Sequence, residues 1–288
     1  MKTEYFEISA DSLPQRARAW SKCPSILWLA GNISAFDGPL VAVVGSRKVS
    51  SEGKRRSFVL AKALVDLGIT VVSGLAEGVD SAAHEAALKR NGKTIAVMGT
   101  PIDECFPSKN KALKEKIATD GLVISQFPIG TETFPSNFPR RNELMAAISH
   151  MTIVVEASAK SGTRHQVAAC LKLGRPVGFL SSLIALKIPW VEDALSSGLG
   201  FEVRTVQDVL SKINGMEHYP QDLRYFPVTK KSGTVVQTDF LFLDDVVIKI
   251  SRKDRGKKAP IVTDLPKVKK ERKKKSPSDV VEPDDKTD

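Results

Sequence analysis

The sequence is poor in the residues that staple or anchor unusual folds. Only three cysteines occur in 288 residues, Cys23, Cys105 and Cys170, far apart and without paired spacing. That excludes a disulfide framework and a cysteine-based zinc site and leaves buried thiols as the expectation. The four histidines share no metal-ligand spacing, so no metal is expected. No run approaches the roughly 18 to 20 consecutive apolar residues of a membrane helix, and no membrane partner is expected. The 19 glycines and 16 prolines follow no collagen-like period. The opening MKTEYFEISADSLPQ has no basic patch followed by an apolar run, so no secretory signal is read and a cytoplasmic location is expected.

What the chain does have is positive charge, a formal +10, unevenly placed. Residues 252–275 hold 12 Lys or Arg against Asp254, Asp264 and Glu271, and residues 276–288 hold one Lys against five acids. This segment has too few apolar residues to offset the entropy of ordering, so residues 252–288 are expected to be a disordered tail, basic and then acidic. Its densest run, KVKKERKKK, would add salt-sensitive attraction to nucleic acid.

The body repeats one unit: a short Val- and Ile-rich run followed by a segment of helical spacing. Strands are predicted at residues 41–44, 69–73, 94–98, 122–125, 153–155 and 176–179, and helices at 51–67, 79–91, 110–119, 142–150 and 162–173. Gly68, Gly92, Gly121 and Gly174 fall where helices close in a left-handed residue. The alternation predicts an α/β fold, a doubly wound, mostly parallel Rossmann-like sheet. The expected organisation is a lead-in over 1–35, the Rossmann-like domain over 36–214, and a small β-rich extension over 215–251 with strands near 233–236 and 240–250.

Ligands of such sheets bind where the loops gather beyond the carboxyl ends of the strands. The loop after the first strand reads GSRKVSSEG, putting Gly45, Ser46 and Arg47 just before a helix. Amides at a helix N-terminus, a hydroxyl and a guanidinium suit a phosphate. The loop is not GxGxxG, which disfavours a nicotinamide cofactor, and none is expected. Later loops bring Arg140, Arg141 and Asn142 before one helix and Lys160, Ser161, Gly162 and Arg164 before another. In a parallel sheet these residues share one edge, a basic pocket suited to a phosphate backbone or a nucleotide.

Five motifs in order give this chain a likeness to a known family: GSR, SGLAEGVDSAAH, TIAVMGTPIDECFPSKN, FPRRN and VVEASAKSG, preceded by CPSILWLAGN. Over residues 24–213 the chain resembles the DprA/Smf family (DNA-processing protein A), whose Rossmann-like domain is related to the LOG-type nucleotide phosphoribohydrolases. The resemblance implies a DNA-binding protein rather than an enzyme. It would bind single-stranded DNA at the sheet edge, form a homodimer, and help load a RecA-type recombinase during DNA uptake or repair. It also implies phosphate contacts from Arg47 with Gly45 and Ser46, from Arg141 and Asn142, and from Ser161 and Gly162. Arg140, Lys160 and Arg164 join that surface by position only.

The chain departs from the family's pattern where Thr163, Arg164, His165, Gln166 and Val167 follow the SG pair, so the pocket floor differs. The alternative reading is a nucleotide sensor or a LOG-like nucleotide-processing enzyme, since SGT resembles part of the LOG-type phosphate loop. Gln166 stands about where that chemistry needs an acid, and an amide cannot do its work. Other candidates read as structural: His84 and Asp80 as packing or capping groups, Glu156 and Asp103 as carboxylates that need not pair, and Trp20, Trp28 and Trp190 as packing rather than base-stacking rings.

Overall fold

The computed structural model describes residues 4–216. They form one nine-stranded sheet in the order β1-β2-β6-β5-β4-β3-β7-β8-β9, with helices on both faces. The strands are β1 (Phe6–Ser9), β2 (Ile26–Gly31), β3 (Leu40–Val44), β4 (Thr70–Ser73), β5 (Thr94–Met98), β6 (Leu122–Ser125), β7 (Met151–Val154), β8 (Val177–Leu180) and β9 (Gly200–Val203). Strands β3 to β9 pair in parallel, and each of β3 to β8 is buried at every position, as the unbroken Val and Ile runs require.

The crossovers supply α2 (Ser51–Asp66), α3 (Val79–Lys89), α4 (Lys111–Asp120), α5 (Asn137–Ile148) and α6 (Thr163–Lys172). Short α1 (Gln15–Arg18) and α7 (Ser181–Ile184), then α8 (Pro189–Ser196) and α9 (Val206–Asn214), complete the set. Leu60 and Leu64 of α2, Ala83 and Ala87 of α3 and Val209 of α9 cover one face over Val41, Val43 and Val71. Leu144 and Met145 of α5, Val167 and Cys170 of α6 and Val191 of α8 cover the other, over Ala42, Val154 and Phe179. Alternate residues of each strand thus serve opposite faces.

The sequence reading differs from this structure at four places. Residues 1–35 are more than a lead-in: β1 and β2 form an antiparallel pair that joins the sheet against β6, with Trp28 opposite Ser125. Helix α5 begins at Asn137, five residues before the periodic segment, because Pro139 sits in the first helical turn, where a missing N–H costs nothing. Gly68 and Gly174 do take left-handed conformations, but at the end of α3 Asn91 does so, and Gly121 has a negative φ of −145°. Gly92 is needed instead for its lack of Cβ, since Val65 fills that space. Of the three thiols only Cys170 is fully buried, and burial pushes it up to about 11. The extension and tail expected over 215–288 lie almost wholly outside the described residues.

Candidate functional site

The strand order reverses at β3, whose neighbours are β4 on one side and β7 on the other. Loops after β3 and β7 diverge there and leave a crevice at the carboxyl end of the sheet. A cavity of about 640 Å³ occupies it, lined by the loops after β3, β4 and β7 and by the start of α5.

The loop after β3 is built around missing side chains. A Cβ on Gly45 would lie 2.7 Å from the Glu156 carbonyl oxygen and 2.6 Å from Val79 Cγ2. The Ser46 N–H donates to that carbonyl at 2.7 Å, and the Ser46 carbonyl accepts the Val79 N–H at 3.3 Å. Gly78, at φ +82° before α3, lies directly against the carbonyls of Ser46 and Arg47. The Ser46 hydroxyl donates to Lys48 O at 2.9 Å. Arg47 is exposed, and its Cζ lies 5.6 Å from the ring centroid of Phe138, a cation–π contact. The ring of Phe106 packs against Phe138 at 5.6 Å and 59°, and Phe106 is 54% exposed.

Arg141 and Arg140 part company. Within one helix, consecutive side chains point about 100° apart, so only one of them faces inward. Arg141 is buried: its Nη1 donates to the carbonyls of Gly74 and Val97, the latter at 2.8 Å, and its Nε donates to Asn142 Oδ1 at 2.9 Å. Asp80 Oδ2 accepts the N–H groups of Gly74 at 3.1 Å and Ala76 at 3.3 Å. Burial drives both groups toward neutrality, Asp80 upward and Arg141 down to about 10, each opposed by the other's charge. Arg141 therefore stays charged at neutral pH and holds the loop after β4 in shape. Arg140 is exposed, its Cζ 5.3 Å from the Phe127 ring centroid.

At the start of α6, the Ser161 hydroxyl donates to Thr163 Oγ1 at 2.9 Å and accepts the Thr163 N–H at 3.2 Å. Gln166 is buried, its Nε2 donating to Thr152 Oγ1 at 3.1 Å, with no partner for Oε1 among the described residues.

Gly45, Ser46, Arg47, Arg141, Asn142, Ser161 and Gly162 thus line one cavity. Arg140, Lys160 and Arg164 are exposed outside its lining. Sequence reasoning missed Lys48, Phe106, Phe138 and Asp80 as lining residues. The signal for Phe106 and Phe138 was present in CFP and FPRRN, one aromatic in each of two motifs. The remaining candidates lie elsewhere. His84 is buried with Nδ1 2.8 Å from Thr94 Oγ1. Asp103 lines a separate cavity with Tyr5, Cys105 and Lys114, so it forms no pair with Glu156. Trp28 donates to Glu7 Oε1 at 2.8 Å, Trp190 packs on Phe179, and Trp20 lies against the core. Among the described residues no cluster of His, Cys, Asp and Glu could hold a metal, and no helix is long and apolar enough to cross a membrane.

Residues 4–199 match the family described as DNA recombination-mediator protein A. Protein Smf of Synechocystis is 41% identical over 143 residues, covering 48% of this chain and 36% of its own length. DNA processing protein DprA of Streptococcus pneumoniae is 38% identical over 172 residues, covering 60% of this chain and 61% of its own. The chain thus matches between about a third and three-fifths of these relatives' length. The X-ray structure of S. pneumoniae DprA superposes with a TM-score of 0.66 and 34% identity, covering 74% of this chain and 75% of that one. The Helicobacter pylori DNA processing protein A, whose structure is described for its single-stranded DNA binding mode, gives 0.64 at 26% identity over 73% of this chain and 95% of that one.

Proposed function

This chain belongs to the DNA recombination-mediator protein A family, and on that premise we propose that its sheet-edge cavity binds single-stranded DNA in DNA processing and recombination. The observation that carries the reading is the Arg47–Phe138–Phe106 group at the cavity mouth. A guanidinium suits a backbone phosphate, and an exposed ring suits the face of an unpaired base, which a duplex keeps covered. The start of α6, whose Gly162 and Thr163 line the cavity, adds partial positive charge facing the same space. The single-stranded DNA binding mode of the H. pylori protein supports the same ligand class.

In this reading Gly45, Ser46, Arg47, Asn142, Ser161 and Gly162 touch the strand, and Arg141 shapes the cavity wall. Arg140, Lys160 and Arg164 attract the backbone as it leaves the cavity, and the basic run over 267–275 adds a sequence-independent pull. A RecA-type recombinase and a second copy of the chain are the proposed protein partners. No bond is broken in this scheme. In the LOG-like alternative the acid position falls on Gln166, a neutral amide whose Nε2 donates to Thr152 Oγ1.

Titration of labelled single- and double-stranded oligonucleotides with the full chain tests the proposal. The expected result is preference for the single strand, with Arg47→Glu weakening it by about tenfold or more as a charge-assisted contact becomes a repulsion. Equal binding by parent and variant would assign the cavity to another ligand.

A further inference from the structure

We propose that Glu156 is a positioning residue that holds Arg47 ready for DNA, an inference that rests on the single-strand reading of the cavity. Glu156 lies just after β7 and touches the loop between β3 and α2 at both of its ends. At the near end its backbone carbonyl accepts the Ser46 N–H at 2.7 Å. At the far end its carboxylate accepts the Ser50 N–H at 2.9 Å and the Ser50 hydroxyl. The same Ser50 oxygen accepts the Gly53 N–H at 2.9 Å, capping α2. Arg47 sits between these two anchor points.

The neighbouring sequence makes room for this one residue. A Cβ at Gly45 would crowd the Glu156 carbonyl, and one at Gly53 would run into its carboxylate. Two of the three glycine-like gaps around the loop therefore serve Glu156, and the third, at Gly78, holds the loop from the other side. A loop fixed at both ends presents its arginine without having to be ordered when the ligand arrives, and that pre-organisation appears directly in affinity.

Positioning and plain electrostatics predict opposite signs. A carboxylate beside a phosphate site repels the ligand, so on charge alone its removal tightens binding. If Glu156 acts by holding the loop, its removal loosens binding. The test measures affinity of the full chain for a labelled single-stranded oligonucleotide across a salt series, for the parent, Arg47→Ala, Glu156→Ala, Glu156→Gln and Glu156→Asp. Glu156→Ala is expected to bind about tenfold more weakly with an unchanged salt slope, because the number of phosphates neutralised stays the same. Glu156→Gln recovers part of the loss, since its amide oxygen still accepts the Ser50 N–H. Binding by Glu156→Ala as tight as the parent's, or tighter, overturns the proposal. Should Glu156→Ala fail to fold, Glu156→Asp decides: it keeps the charge but withdraws it by one methylene, a several-fold loss is expected, and parity with the parent overturns the proposal. If parent and Arg47→Ala bind alike, the reading of the cavity falls, and hydrogen exchange judges the clamp alone. Faster exchange of the Ser50 and Gly53 amides in Glu156→Ala supports it, and unchanged rates refute it.

Discussion

Gly78 shows how much of this site rests on one backbone position. At φ +82° and ψ −116° it occupies a region closed to other residues, and a side chain there would strike the carbonyls of Ser46 and Arg47. Gly78→Ala should cost on the order of 1–3 kcal/mol from the backbone alone. It should also displace the Arg47 loop. A lower melting temperature together with weaker single-strand binding is the expected pair of results, and an unchanged melt would contradict it. At this scale the sequence already placed Gly45, Ser46 and Arg47 at the crevice, because a polar loop between a buried strand and a helix has one place to go. It could not show that Arg141 is buried and Arg140 exposed, since their difference is a rotation of one residue about a helix whose start was hidden by Pro139. Nor could it show that Glu156 serves the loop rather than Asp103, for that partnership spans 106 residues of chain.

Among the elements, α9 is fastened at its N-terminal end by a capping box of Thr205 and Asp208. Asp208 accepts the N–H groups of Arg204 at 2.9 Å and Thr205 at 2.8 Å, while Val206, Val209 and Ile213 face the core. Asp208→Ala should therefore cost about 1 kcal/mol, the usual worth of such a cap. Amide exchange should quicken in α9 while oligonucleotide affinity holds, because α9 lies away from the cavity lining. Strands β3 to β8 were legible because each is an apolar run buried at every position, and the longer crossover helices because each shows its period. Strands β1 and β2 were not: they stand outside the βα alternation, and β1 has four residues, mostly exposed. Their role follows from the pairing of β2 with β6 and of β1 with β2, the first a long-range contact no local pattern encodes.

For the molecule as a whole, two histidines set an acid limit. Burial holds both His84 and His150 down to about 3, well below the ordinary value of 6.5, so both are neutral in the folded state at neutral pH. The unfolded chain binds protons at these groups below about pH 6.5 while the folded chain does not. Their contribution is thus complete above that pH and declines as the pH falls toward 3, by at most about 1.4 kcal/mol per pH unit for each group. Denaturant unfolding measured between pH 7 and 4.5 should show this slope, and His84→Gln should flatten part of it. A flat profile in the parent would mean that the two rings are less shielded than the structure shows.

The order of the sheet has a practical consequence. The first strand in the chain and the last described one sit on opposite flanks, eight inter-strand steps apart, or about 38 Å at the usual spacing before twist is counted. The crevice opens between them. Fluorescent dyes on the two flanks would therefore straddle the ligand without touching it, and a rigid sheet would keep their separation constant. One doubly labelled molecule would carry its own ruler, against which any change on adding DNA can be assigned to the strand or to a second copy of the protein.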